Sequence, residues 1–143
     1  MLTSNYYVGD DPFSVKGCID QFRYYGTSPH FMIARDGRII KMVDEKNVAW
    51  HAGKSLLPGT DRDSLNRTSI GIELINTKTI PPSEEQYQSL MKLCRHLCAR
   101  WGIHYIVRHR DIAPGRKTDP WCFDWEWFKR QMFFYHEELE FPE

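Results

Sequence analysis

The segment His109-Arg-Asp-Ile-Ala-Pro-Gly-Arg-Lys-Thr-Asp-Pro120 carries the densest group of side chains able to do chemistry. Pro114 and Gly115 form a turn between His109 and Asp119, so the loop can fold back and set a carboxylate beside an imidazole. A His and a carboxylate are common zinc ligands. Lys117, two residues before Asp119, can point a cation into the same pocket and hold negative charge on a tetrahedral intermediate. The competing reading of the segment is a solvated basic loop.

Glu73 is the second candidate. It lies inside the apolar run Ser69-Ile-Gly-Ile-Glu-Leu74, which alternates as a strand does. Partial burial would raise its pKa and suit it to general-base work near neutral pH. A structural ion pair is the alternative. Gly71, on the same strand face, leaves room for close approach to the backbone. Trp50-His51-Ala52-Gly53 sets an aromatic and an imidazole beside small residues, a combination that can line a sugar or peptide pocket. His51 and His30 are each also compatible with a hydrogen-bonded core histidine.

These residues need elements to hold them. Val15, Cys18, Ile19 and Phe22 fall on one helical face between Ser14 and Tyr25, and Gly26 ends that helix. Asp36-Gly37 predicts a hairpin turn between strands at His30–Ala34 and Arg38–Val43. Thr68–Ile75 reads as a strand. Ser83 and Gln86 form a capping-box pattern ahead of a helix whose stripe is Tyr87, Leu90, Cys94, Leu97 and Trp101, and Gly102 stops it. Ile103–His109 reads as a further strand, and Asp124–His136 as a last amphipathic helix. Residues 1–13 show no clear period. The mixture predicts one α/β domain over residues 1–143.

Nineteen basic and nineteen acidic residues cancel, which argues against a nucleic-acid partner. No apolar stretch is long enough to cross a membrane. The four cysteines include no C-x-x-C pair and read as free thiols of a reducing compartment, which points to the cytoplasm; a monomer is the separate expectation for the chain.

Four segments in order, Ser28-Pro-His-Phe-Met-Ile-Ala-Arg-Asp-Gly37, Ala49-Trp-His-Ala-Gly53, Asn66-Arg-Thr-Ser-Ile-Gly-Ile-Glu-Leu74 and His109 to Pro120, resemble the N-acetylmuramoyl-L-alanine amidases. That family includes the T7 lysozyme and the cytosolic anhydromuropeptide amidase of bacteria. The likeness runs from about residue 1 to about residue 130. It implies a central mixed sheet flanked by helices, a Zn2+ cofactor, and a peptidoglycan or muropeptide substrate. It further implies zinc ligation by His109 and Asp119, acid/base chemistry by Glu73, oxyanion stabilisation by Lys117, and substrate contacts from His30, Trp50, His51 and Asn66. Where the T7 branch places a cysteine, this chain has Asp119, as the anhydromuropeptide branch does.

One departure stands out. The family's first zinc ligand is a His at the end of the first strand, two residues before Thr or Ser. Matching that Thr to Thr3 puts the ligand at Met1 and leaves the first strand missing. A thioether is a poor zinc ligand. The expectation is therefore either a chain lacking a short N-terminal piece or a member that binds cell-wall fragments without cutting them. The retained catalytic positions favour the first.

Overall fold

The structure, a computed structural model, describes residues 1–143. Four strands form one mixed sheet, in the spatial order β1 (Leu2–Asn5), β4 (Ile72–Ile75), β2 (Phe31–Ile33) and β3 (Ile39–Lys41). Both β1 and β2 run parallel to β4, and β3 returns antiparallel to β2. The hairpin turn falls at Asp36-Gly37, where Gly37 adopts φ 89°, a conformation that favours glycine.

The helices begin and end where their caps dictate. In α1 (Val15–Tyr25) the Ser14 side chain accepts from the Gly17 amide, and Gly26 closes the helix in the left-handed region. In α2 (Glu84–Trp101) Ser83 and Gln86 complete a reciprocal capping box, and Gly102 ends it in the same way. The short helix α3 (His109–Ile112) and the longer α4 (Trp125–Tyr135) follow. Leu90, Leu93, Cys94 and Leu97 of α2, with Phe128 and Met132 of α4, pack on Leu2, Ile33, Ile72 and Leu74 of the sheet. The opposite face carries Cys18 of α1 against Met32, Ala34 and Ile75. The sheet is thus covered on both sides, as its apolar parallel strands require.

Two expectations are corrected. The first strand is present: Leu2–Asn5 pairs with all of Ile72–Ile75. Its aperiodic sequence hides it because β1 is short and is buried over Met1–Ser4 regardless of polarity. The segment before His109 is not a ladder strand. It makes only isolated bridges, Leu2 with Arg108 and Tyr105 with Glu140, and His109 opens α3 instead of closing a strand.

Gln86 ties sheet to helix. Fully buried, it donates from Nε2 to the carbonyls of Ile33 and Ile75, both at 2.9 Å, at the ends of β2 and β4. Its Oε1 accepts from the Ser83 amide at 2.9 Å and from Arg35 at 3.0 Å. Replacing Gln86 with Ala would leave two buried carbonyls unpaired and remove half of the capping box. The expected cost is about 2–4 kcal/mol, read as a lower urea midpoint at unchanged slope. An unchanged midpoint would show that these bonds contribute nothing net.

Candidate active site

Strand alternation decides which side chains meet. Met1, Thr3 and Asn5 share one face of β1, and in the parallel register Thr3 and Asn5 stand beside Glu73 and Ile75 of β4. The bridge between Leu2 and Arg108 puts His109 alongside Thr3 on the other flank. A groove of about 740 Å³ opens on this face and is lined by Asn5, Glu73, His109, Lys117 and Asp119. Trp50, His51 and Asn66 border it from the long loop, as do Gln21, Phe22 and Tyr25 from α1, and Trp121.

The ten-residue loop does fold back. Asp119, 4% exposed, accepts from the Ser4 amide at 3.0 Å through Oδ2, and the same oxygen lies 3.2 Å from His109 Nδ1. The Ser4 hydroxyl accepts from the Trp121 amide at 3.1 Å, and the Arg110 amide donates to the Asp119 carbonyl at 2.9 Å. Arg116 donates to the carbonyls of Ala52 and Lys54, both at 2.7 Å, and joins this loop to the one carrying Trp50 and His51.

Glu73 is buried at the groove floor. Burial pushes its carboxyl up to about 8, helped by the nearby Asp119 charge. The neighbouring Thr3 hydroxyl and the Lys117 cation act against the shift. Glu73 is therefore a strong base once ionised, and Lys117 stands near it without a salt-bridge partner.

The remaining predicted residues divide. Trp50 is 53% exposed at the groove's edge, free to stack on a ligand. Asn66 reaches the groove and also shapes it: its Oδ1 accepts from the amides of His51 and Ala52 at 2.9 and 2.7 Å. The His51 ring lies over Gly71, so closely that a Cβ there would fall 2.4 Å from the ring. Gly71 thus makes room for His51, not for a ligand against the backbone. Burial drives the His51 pKa down to about 3, and both ring nitrogens lack partners. His30 is a core histidine. It accepts from the Gly71 amide at 3.1 Å through Nδ1, donates to the Asn47 carbonyl at 2.8 Å, and does not line the groove. Its contribution is to hold Gly71 and face the His51 ring, with centroids 5.5 Å apart.

Met1 is not the β1 residue that faces His109 and Asp119. It packs with Ala52, Leu57, Leu65, Val107 and Ile112 and lines a separate apolar cavity. Asn5, four residues on and roughly 13 Å along an extended strand, is the side chain of that β1 face that lines the groove. Sequence reasoning missed Asn5, Gln21, Phe22, Tyr25 and Trp121. The one available signal was the polar pair Ser4-Asn5 interrupting an apolar start.

A metal can be tested against these donors. His109 faces an oxygen at each ring nitrogen, Asp119 Oδ2 and the Ala52 carbonyl, both at 3.2 Å. A neutral imidazole has one N–H, so it can satisfy one of the two. With that proton toward Ala52, the Nδ1 lone pair and the Asp119 carboxylate oxygen confront each other, and a cation between them relieves the repulsion. An imidazole oriented by a backbone carbonyl is a common zinc-ligand arrangement. The pair fits zinc in donor type. No third His, Cys, Asp or Glu completes the group, whereas a catalytic zinc ordinarily takes three protein ligands.

The sequence comparison places this fold and groove in a class: the N-acetylmuramoyl-L-alanine amidase family model matches residues 4–122, and the chain belongs to that family. It is 40% identical over 115 residues to the 1,6-anhydro-N-acetylmuramyl-L-alanine amidase AmpD of Enterobacter cloacae, covering 78% of this chain and 60% of the relative. Against AmpD of Escherichia coli the identity is 44% over 105 residues, covering 71% and 56%. The solved complex of the Escherichia coli amidase AmiD with anhydro-N-acetylmuramic acid-L-Ala-D-gamma-Glu-L-Lys superposes with a TM-score of 0.76 at 32% identity. That match covers 92% of this chain and 56% of the other. The chain thus spans 60% or less of the length of these relatives.

The raised Glu73 pKa has a stability signature. Below about pH 4.5 the folded and unfolded chains both hold the proton. Between there and about 8 only the folded chain keeps it, so stability falls as pH rises through this window and levels off above it. Glu73→Gln is expected to flatten this dependence and to be the more stable form at pH 8 by an amount on the order of a few kcal/mol. Thermal unfolding from pH 4 to 9 reads it. Parallel curves for the two proteins would contradict a buried, proton-holding Glu73.

Proposed function

We propose that the groove binds a muropeptide across the amide joining N-acetylmuramic acid to L-alanine and hydrolyses that bond. The observation that carries this is the convergence of Glu73, Lys117, His109 and Asp119 in one groove bordered by Trp50 and Trp121. The relatives' names and the ligand of the AmiD complex support a soluble 1,6-anhydro fragment as substrate. A reducing, cytoplasmic setting belongs to the same proposal and rests on four unpaired thiols. No helix is long and apolar enough to cross a membrane.

His109 Nδ1 and Asp119 Oδ2 would hold the zinc, which when bound supplies a Lewis acid for the carbonyl and lowers the pKa of water. The chain's own residues do the rest. Ionised Glu73 takes the proton of the attacking water, and its burial makes it basic enough for the task. Lys117 faces the oxygen on which negative charge develops. Glu73 then returns its proton to the departing alanine nitrogen, so the amine leaves neutral. Trp50 and Trp121 offer flat faces to the sugar, and the loops joined by Arg116 hold them apart.

A second reading is favoured by one observation, the donor set that stops at two. On that reading the same groove holds the muropeptide uncut.

Stem-peptide release from anhydro-N-acetylmuramic acid-L-Ala-D-γ-Glu-L-Lys, followed by chromatography at saturating zinc, tests the roles. Glu73→Gln is expected to lower kcat by about 10²–10⁴-fold and Lys117→Met by about 10²–10³-fold, with smaller changes in KM. The wild-type kcat should climb with pH, reach half of its maximum near 8 and level off above that, as Glu73 ionises. Near-full activity of Glu73→Gln would remove it from the mechanism. Wild-type protein that binds the muropeptide without releasing the peptide would leave the second reading standing.

A further inference from the structure

The His109–Asp119 pair is short of a third ligand, and the cause is visible on β1. Three β1 side chains share the face that meets His109. Met1 is turned into the apolar cavity. Thr3 is 1% exposed, and its hydroxyl donates to the Ile72 carbonyl at 3.1 Å. Asn5 is the one that lines the groove with His109 and Asp119. Its Oδ1 receives only a long contact from Gln21 Nε2, at 3.5 Å, and its buried Nδ2 has no partner. A neutral carboxamide neither deprotonates nor offers the charge or softness that zinc selects.

Resting on the amidase reading above, we propose that this chain holds zinc through two protein ligands, His109 and Asp119, as an exchangeable ion, and that Asn5 is the residue that keeps the site weak. Occupancy of the groove then follows the free zinc around the protein instead of being fixed when it folds. Asp119 contributes to this weakness, because its Oδ2 already accepts from the Ser4 amide and must share that oxygen with the metal. Mutating groups that merely orient a zinc ligand costs about 10–100-fold in affinity. Supplying a missing ligand should gain at least as much.

The test is zinc affinity of the full chain by competition with a chromogenic chelator, together with zinc per chain after dialysis. Wild type is expected to lose its zinc on dialysis and to take up about one ion per chain when micromolar zinc is returned. Asn5→His should retain about one zinc through dialysis and bind it at least ~100-fold tighter. Asn5→Asp, nearly isosteric with asparagine and so less demanding of the fold, should tighten binding in the same direction. Circular dichroism confirms that both variants are folded. Wild type retaining stoichiometric zinc through dialysis would overturn the proposal. So would wild type binding none at millimolar zinc, or folded variants at Asn5 with unchanged affinity. These readings are independent of turnover. Metal behaviour as described, with no peptide release at saturating zinc, would sink the amidase reading and leave the two-ligand site standing.

Discussion

The edge of β1 is where the structure is decided. Its Ser4 presents a backbone amide to Asp119 and a hydroxyl oxygen to the Trp121 amide, and these two bonds close the loop that began at His109. They act together with the bond from the Arg110 amide to the Asp119 carbonyl, which joins the two ends of the loop to each other. The same strand places Thr3 between His109 on one flank and Glu73 on the other. A four-residue strand thereby fixes the relative positions of the His109–Asp119 pair and the buried acid.

That arrangement sets stability against chemistry. The burial that would make Glu73 an effective base in the proposed reaction is also what makes its charge costly. The surrounding polar groups are committed to the framework. Asn66 holds the turn at His51 and Ala52, His30 holds Gly71, and Arg116 joins two loops. The groups left to face a ligand include Lys117, the indoles of Trp50 and Trp121 and the amide of Asn5. The groove's shape thus rests on side chains bonded to the framework, which is how loops with few helical or strand contacts hold a defined shape.

Much of this was legible in the sequence. Caps announce themselves through local chemistry, so Ser14, Ser83 and the three turn glycines Gly26, Gly37 and Gly102 mark their elements closely. His109, Asp119, Lys117 and Glu73 stand out because such residues sit oddly in a turn-rich loop and an apolar strand. What stayed hidden depends on contacts distant in sequence. β1 carries no period of its own and is defined by a partner about seventy residues away. His30 looks like a ligand-contacting histidine until its two backbone partners are seen. Counting back from Thr3 puts the position opposite His109 and Asp119 at Met1. The strand's alternation and the groove's location give it to Asn5 instead.

The most direct measurement is a crystal structure of the protein soaked with zinc and the uncleaved muropeptide, using anomalous scattering at the zinc edge. The account predicts one zinc peak in contact with both His109 Nδ1 and Asp119 Oδ2, with the scissile carbonyl beside Lys117 and the sugar against Trp50. Zinc bound elsewhere, or muropeptide seated in the apolar cavity beside Met1 with the groove empty, would contradict it.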